Sequence, residues 1–135
     1  VRVVVDTNVL VSSFLTPKGH PRAVIDLWKT GQISLCVSEE ILEEYLEVLA
    51  RLGLHREPEL KNLLRMFKRN ENLVFRKAAA HFHRVQEDPA DDKFIDCAIG
   101  ARARYIISGD SHLLKVKQFK TVKIVSPEQF VAQMK

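Results

Sequence analysis

The sequence predicts an α/β fold: a three-layer α/β/α sandwich around a mostly parallel sheet of about five strands. Two observations carry this. Arg2-Val3-Val4-Val5 opens the chain with a β-branched run that suits a short strand buried on both faces. Apolar runs of that kind then alternate with segments of helical spacing, the pattern of strand–helix–strand crossovers. The 135 residues, 46% of them apolar, fit one domain over 1–135 and suffice to enclose a core.

The elements follow in order. After the first strand, apolar residues at helical spacing predict a short helix over 9–15. Thr16-Pro17-Lys18-Gly19-His20-Pro21 is a turn. Pro21 suits the first turn of a helix through Lys29, with Ala23, Val24, Leu27 and Trp28 as its apolar face and Gly31 at its end. Ile33 to Val37 is a second strand. Ser38 reads as the N-cap of a helix to Leu52, with Ile41, Leu42, Tyr45, Leu46 and Leu49 inward and Gly53 closing it. Pro58 opens a helix over 58–69, striped by Leu60, Leu63, Leu64 and Phe67. Leu73-Val74-Phe75 is a third strand, and 76–90 reads as a loop. Asp91 or Asp92 opens a helix through Arg102. Tyr105-Ile106-Ile107 is a fourth strand, Ser111 to Leu114 a helical turn, and Val122 to Val125 a fifth strand. Ser126-Pro127-Glu128 caps a last helix carrying Phe130, Val131 and Met134.

A net charge of +4 suits a polyanionic partner, though a modest lysine excess is also common on ordinary proteins. Cys36 and Cys97 stand in apolar contexts with no disulfide framework, and read as reduced core thiols of a cytoplasmic protein. Asp6 and Asn8 interrupt the apolar N-terminus, which therefore does not read as a signal peptide. No apolar run reaches the length of a membrane span.

The chemistry lies in the acids. In an open α/β sheet, ligands bind beyond the carboxyl ends of the parallel strands. Asp6 follows the first strand and Asp110 the fourth. Glu44 falls in the second turn of the helix after the second strand. Asp91 and Asp92 open the helix before the fourth, with Asp96 one turn below Asp92 on the same face. Each has a plainer reading: Asp6, Asp91 and Asp92 suit helix caps, Asp110 suits a turn, and Glu44 stands among Glu39, Glu40, Glu43 and Glu47 on an acidic face. Taken jointly, acids at two strand ends and on two helices suit a hard divalent cation, Mg²⁺ or Mn²⁺. Arg65, Lys68 and Arg69, followed by Arg76 and Lys77, fit a phosphate-binding rim or a solvated helix face. His81-Phe82-His83 has no evident third ligand and reads as loop. Neither a glycine-rich phosphate loop nor a nucleophile-elbow motif is present.

Four segments in order, Val3-Val4-Val5-Asp6-Thr7-Asn8-Val9-Leu10, Ser38-Glu39-Glu40-Ile41-Leu42-Glu43-Glu44-Tyr45, Asp88-Pro89-Ala90-Asp91-Asp92-Lys93-Phe94 and Tyr105-Ile106-Ile107-Ser108-Gly109-Asp110, resemble PIN-domain proteins of the prokaryotic toxin–antitoxin type. The resemblance spans essentially the whole chain. It implies a metal-dependent ribonuclease acting on single-stranded RNA with Mg²⁺ or Mn²⁺. The family's acidic site falls on Asp6, Glu44, Asp92 and Asp110, with Asp91 as the alternative to Asp92. Asn8 and Ser108 match accompanying polar positions, where Ser108 replaces a common Thr and keeps the hydroxyl. A cognate antitoxin protein and a homodimer are the partners this type implies. Two rivals stay open. A phosphatase with Asp6 as nucleophile would usually carry a second Asp where this chain has Asn8. A PIN-like module that binds RNA or protein without cleaving would not need all four acids.

Overall fold

The computed structural model describes residues 1–76 and 92–134, with Asp92 described by its backbone alone. The strands are β1 (Arg2–Val5), β2 (Ser34–Ser38), β3 (Leu73–Arg76), β4 (Tyr105–Ile107), β5 (Gln118–Phe119) and β6 (Val122–Val125). The α-helices are α1 (Thr7–Leu15), α2 (His20–Lys29), α3 (Glu39–Arg51), α4 (Pro58–Arg69), α5 (Asp92–Gly100), α6 (Ser111–Val116) and α7 (Pro127–Met134), with a 3₁₀ turn at Leu54–Arg56.

Among the described residues the sheet has six strands in the order β3-β2-β1-β4-β6-β5. All pairings are parallel except β5 with β6. The expected α/β class with a mostly parallel sheet holds, and the extra strand is the two-residue β5. Val3, Val4 and Val5 pair with Tyr105, Ile106 and Ile107 of β4 and are buried on both faces, as a central parallel strand requires. The chain steps from β1 outward through β2 to β3, then returns to β4 on the other side of β1. That reversal places a topological switch point between β1 and β4, whose carboxyl ends form the natural binding crevice.

Helices flank the sheet. α5 packs across β1, β2 and β4, burying Phe94, Ile95, Cys97 and Ala98, while α2 packs against α1 and α7. Trp28 of α2 is fully buried, stacks against Phe67 and donates its indole N–H to the carbonyls of Glu71 and Asn72. Cys36 and Cys97 are buried free thiols, pushed by burial up to about 11 and about 12. Gly31 takes φ 81° beyond α2 and Gly53 φ 75° beyond α3, left-handed positions that suit glycine.

Several boundaries differ from expectation. α1 starts at Thr7 rather than at residue 9, because Asp6 caps it. α5 ends at Gly100 rather than Arg102, which takes φ 58°. Leu46 and Leu64 face outward at 38% and 40% exposure; in α3 the buried seam is Ile41, Tyr45 and Leu49, and in α4 Met66 is buried where Leu64 was expected. A stripe of three turns admits fewer apolar residues than each helix contains, so one leucine per helix stays out. Lys77, His81, His83 and Asp91 lie outside the described residues. Among the described residues no helix is long and apolar enough to cross a membrane.

Candidate functional site

A small cleft of ≈ 60 Å³ opens at the carboxyl ends of β1 and β4, lined by Asp6, Thr7, Asn8, Glu44, Phe94 and Asp110. Three acids distant in sequence thus line one cleft at the switch point. Asp6 arrives because β1 ends there. It is 4% exposed, and its Oδ1 accepts from the Val9 N–H at 2.9 Å, capping α1. Its Oδ2 accepts from the Ser108 hydroxyl. Ser108, fully buried after β4, in turn accepts from the Asp110 N–H at 2.9 Å. Asp110 caps α6, accepting from the His112 N–H at 2.7 Å.

Glu44 comes from the second turn of α3, oriented by Ser38, whose hydroxyl accepts from the Ile41 N–H at 3.3 Å and caps the helix. The Thr7 hydroxyl donates to Glu44 Oε2, and Lys93 Nζ lies 2.8 Å from Glu44 Oε1. Beneath them Tyr45 is fully buried and donates its hydroxyl to the Val5 carbonyl, one residue before Asp6. Burial raises the Tyr45 phenol well above its usual range, with Cys97, Asp6 and Glu44 adding to the effect, so it stays a donor.

Burial also raises the Asp6 carboxyl above 3.8; its bonds from Ser108 and Val9 oppose the rise, and the nearby Asp110 adds to it. The cleft therefore concentrates oxygen donors and negative charge at a cost that a bound cation would relieve. The donors are carboxylate and hydroxyl oxygens, the hard type that Mg²⁺ and Mn²⁺ prefer. Among the described residues no three His, Cys, Asp or Glu side chains stand close enough together to hold a metal ion. Glu44 is engaged by Thr7 and Lys93. The backbone of Asp92 begins α5 immediately before Lys93 and Phe94, both at the site.

Of the other candidates, Asn8 is exposed at the cleft mouth, and Asp96 is buried in α5 without lining the cleft. Arg65, Lys68 and Arg69 do come together, with Lys61 and Leu64, along one groove on α4, but that groove shares no lining residue with the carboxylate cleft. Thr7, Tyr45, Lys93 and Phe94 are described site residues that the sequence alone did not single out. Thr7 and Lys93 each adjoin an acid of the four motifs. Tyr45 read as core, and nothing in its helical spacing revealed where its hydroxyl goes.

An uncharacterized protein of Methanocaldococcus jannaschii is 28% identical over 145 aligned residues, covering 98% of this chain and 91% of that protein. The profile of the PIN domain matches residues 2–112, which take in every described residue lining the cleft. With that match over most of its length, the chain belongs to the PIN-domain family.

Proposed function

We propose that this protein is a Mg²⁺- or Mn²⁺-dependent endoribonuclease that cuts single-stranded RNA, and that it serves as the toxin of a toxin–antitoxin pair. PIN domains generally are metal-dependent nucleases. The observation that carries the reading is the meeting of Asp6, Glu44 and Asp110 in one cleft at the β1–β4 switch point. In this reading a cognate antitoxin and a second copy of the chain are the protein partners, and residues 1–135 act as one nuclease domain in the cytoplasm.

Asp6, Glu44, Asp110 and Asp92, with Asp91 as its alternative, would hold the ion. Once bound, it would supply an activated water for in-line attack on a phosphodiester and offset charge on the leaving oxygen. Ser108 fixes the orientation of Asp6 and ties it to Asp110. Thr7 orients Glu44, and Lys93 balances the charge of Glu44. Asn8, exposed at the mouth, would meet the bound RNA strand. Asp96, buried in the helix that bears Asp92, would support that helix.

The covalent phosphatase alternative fits poorly. Asp6 is 4% exposed, with one carboxylate oxygen held by Val9 and the other by Ser108, which leaves neither oriented for attack on a phosphate. The test is cleavage of an end-labelled single-stranded RNA with Mn²⁺ and with EDTA, by wild type and Asp6→Asn. Cleavage that requires Mn²⁺ and is abolished in the variant is expected. Wild-type rates in the variant would remove Asp6 from the site, and a wild type inert with Mn²⁺ would favour the binding-module reading.

A further inference from the structure

Beside the carboxylate cleft lies a second pocket of ≈ 230 Å³, lined by Asn8, Val9, Ser12, Pro21, Gly109 and Pro127. Sites for drug-sized ligands span roughly 300–1,000 Å³, so this one suits a single ring system rather than a whole nucleotide. The two cavities adjoin: Asn8 lines both, and Gly109 immediately precedes Asp110.

The lining selects the ligand. Pro21 and Pro127 present pyrrolidine surface over the buried Val9, which suits the face of a flat ring. Asn8 and Ser12, one turn apart on α1, share a helix face. Among the described residues neither side chain has a hydrogen-bond partner. The carboxamide both donates and accepts, as does the hydroxyl, so together they match the mixed edge of a nucleobase. Over Gly109 the pocket is open, since a Cβ there meets no atom within 4 Å. No described lining residue is charged, and the neighbouring carboxylates disfavour an anion. Of the parts of an RNA strand, the base is the neutral, flat and amphipathic one.

We propose that this pocket seats one nucleobase adjoining the phosphate presented to the carboxylate cleft, and that Asn8 and Ser12 read its edge. The proposal rests on the nuclease reading for the identity of the strand, but the pocket can be tested without cleavage. Ser12→Leu fills it and Ser12→Ala removes only the hydroxyl; Ser12 is not among the hydrogen-bond partners of Asp6 or Asp110.

In metal-free buffer, the four neutral ribonucleosides are titrated against isotope-labelled protein, and amide shifts are followed. Saturable shifts at Val9, Ser12 and Gly109 are expected, stronger for one base, and about tenfold weaker binding in Ser12→Leu, equivalent to about 1.4 kcal/mol. In a second arm, a random single-stranded RNA pool is cut with Mn²⁺ and the flanking bases are sequenced. Wild type should prefer one base at a fixed position beside the cut, and both Ser12 variants should flatten that preference while cutting continues. Nucleoside shifts without cleavage would support the pocket and overturn the nuclease reading. Cleavage with no flanking preference, or one unchanged in both Ser12 variants, would overturn the pocket and leave the nuclease reading standing. Absence of localised shifts for every nucleoside would also overturn the pocket.

Discussion

The buried hydroxyl of Ser108 donates to Asp6 Oδ2, joining the exits of β4 and β1 through a single oxygen that also accepts from the Asp110 N–H. Ser108→Ala removes both bonds. Burial and Asp110 then act on Asp6 with less opposition, so its carboxyl should titrate higher than in wild type. Carboxyl-detected NMR would follow it directly. Loss of a hydrogen bond to a charged group should cost about 1.5–3 kcal/mol near neutral pH. An unchanged Asp6 titration would mean that Ser108 does not hold this carboxylate.

Asp6 also ties stability to pH. Its folded pKa lies above 3.8, so between the unfolded and folded values the folded state holds a proton that the unfolded chain has released. This contribution is present below 3.8 and is lost as pH rises through the folded value. Asp6→Asn cannot titrate and keeps the capping geometry, since Asn is as good an N-cap. In EDTA above that window the variant should melt higher than wild type. Saturating Mn²⁺ should reverse the order, because a ligand at a hundredfold excess over its Kd adds about 2.7 kcal/mol to the protein that binds it. Equal Mn²⁺-induced rises in Tm for the two proteins would contradict a ligand role for Asp6.

Lys93 places a positive charge 2.8 Å from Glu44 Oε1. A cation entering the cleft meets that charge as repulsion and must compete for Glu44. Lys93→Met should therefore tighten Mn²⁺ binding in calorimetry. Metal-free stability should change by less than about 1 kcal/mol, since the pair is partly solvated. Weaker Mn²⁺ binding would instead assign Lys93 a supporting role at the site.

Tyr45→Phe strips the Val5 carbonyl of a buried donor. An unsatisfied buried group costs about 1–3 kcal/mol, which urea unfolding should register as a lower midpoint at unchanged slope. No change in midpoint would show that Val5 finds another partner.

Charge reversal of Arg65, Lys68 and Arg69 to Glu tests the α4 groove as an RNA rim. RNA affinity should fall, and its salt dependence should flatten by about 0.7 for each phosphate no longer neutralised. Mn²⁺ affinity should hold, because the acids line a different cavity. Unaltered RNA affinity across the salt series would identify an ordinary solvated face.

The sheet's centre was legible because burial on both faces leaves a distinctive trace, as in Val3-Val4-Val5 and Tyr105-Ile106-Ile107. Caps were legible for a similar reason: Ser38 caps α3 as expected, and Ser126 forms a reciprocal pair with Gln129 at the start of α7. β5 was not legible. Two residues are too few to show alternation, and its flanks, Lys117 and Lys120, take positive φ without the glycine or asparagine that announces a turn. At the site, strand-end acids announced themselves by position. Glu44 stood among identical neighbours, and only three-dimensional packing separates the one that meets Thr7 and Lys93 from Glu40, Glu43 and Glu47.

The brief reversal at β5 has a consequence for how copies of this chain can meet. An exposed strand edge is a template on which another chain can continue the sheet. At the β6 side, the final strand runs opposite to the rest and spans only Gln118–Phe119, so little backbone is left to recruit a neighbour. Among the described strands the opposite border is β3, where Phe75 is 47% exposed beside the charged Arg76. Among the described strands the sheet is thus asymmetric in its susceptibility to growth: one border is nearly sealed by a reversed stub, and the other carries the exposed Phe75.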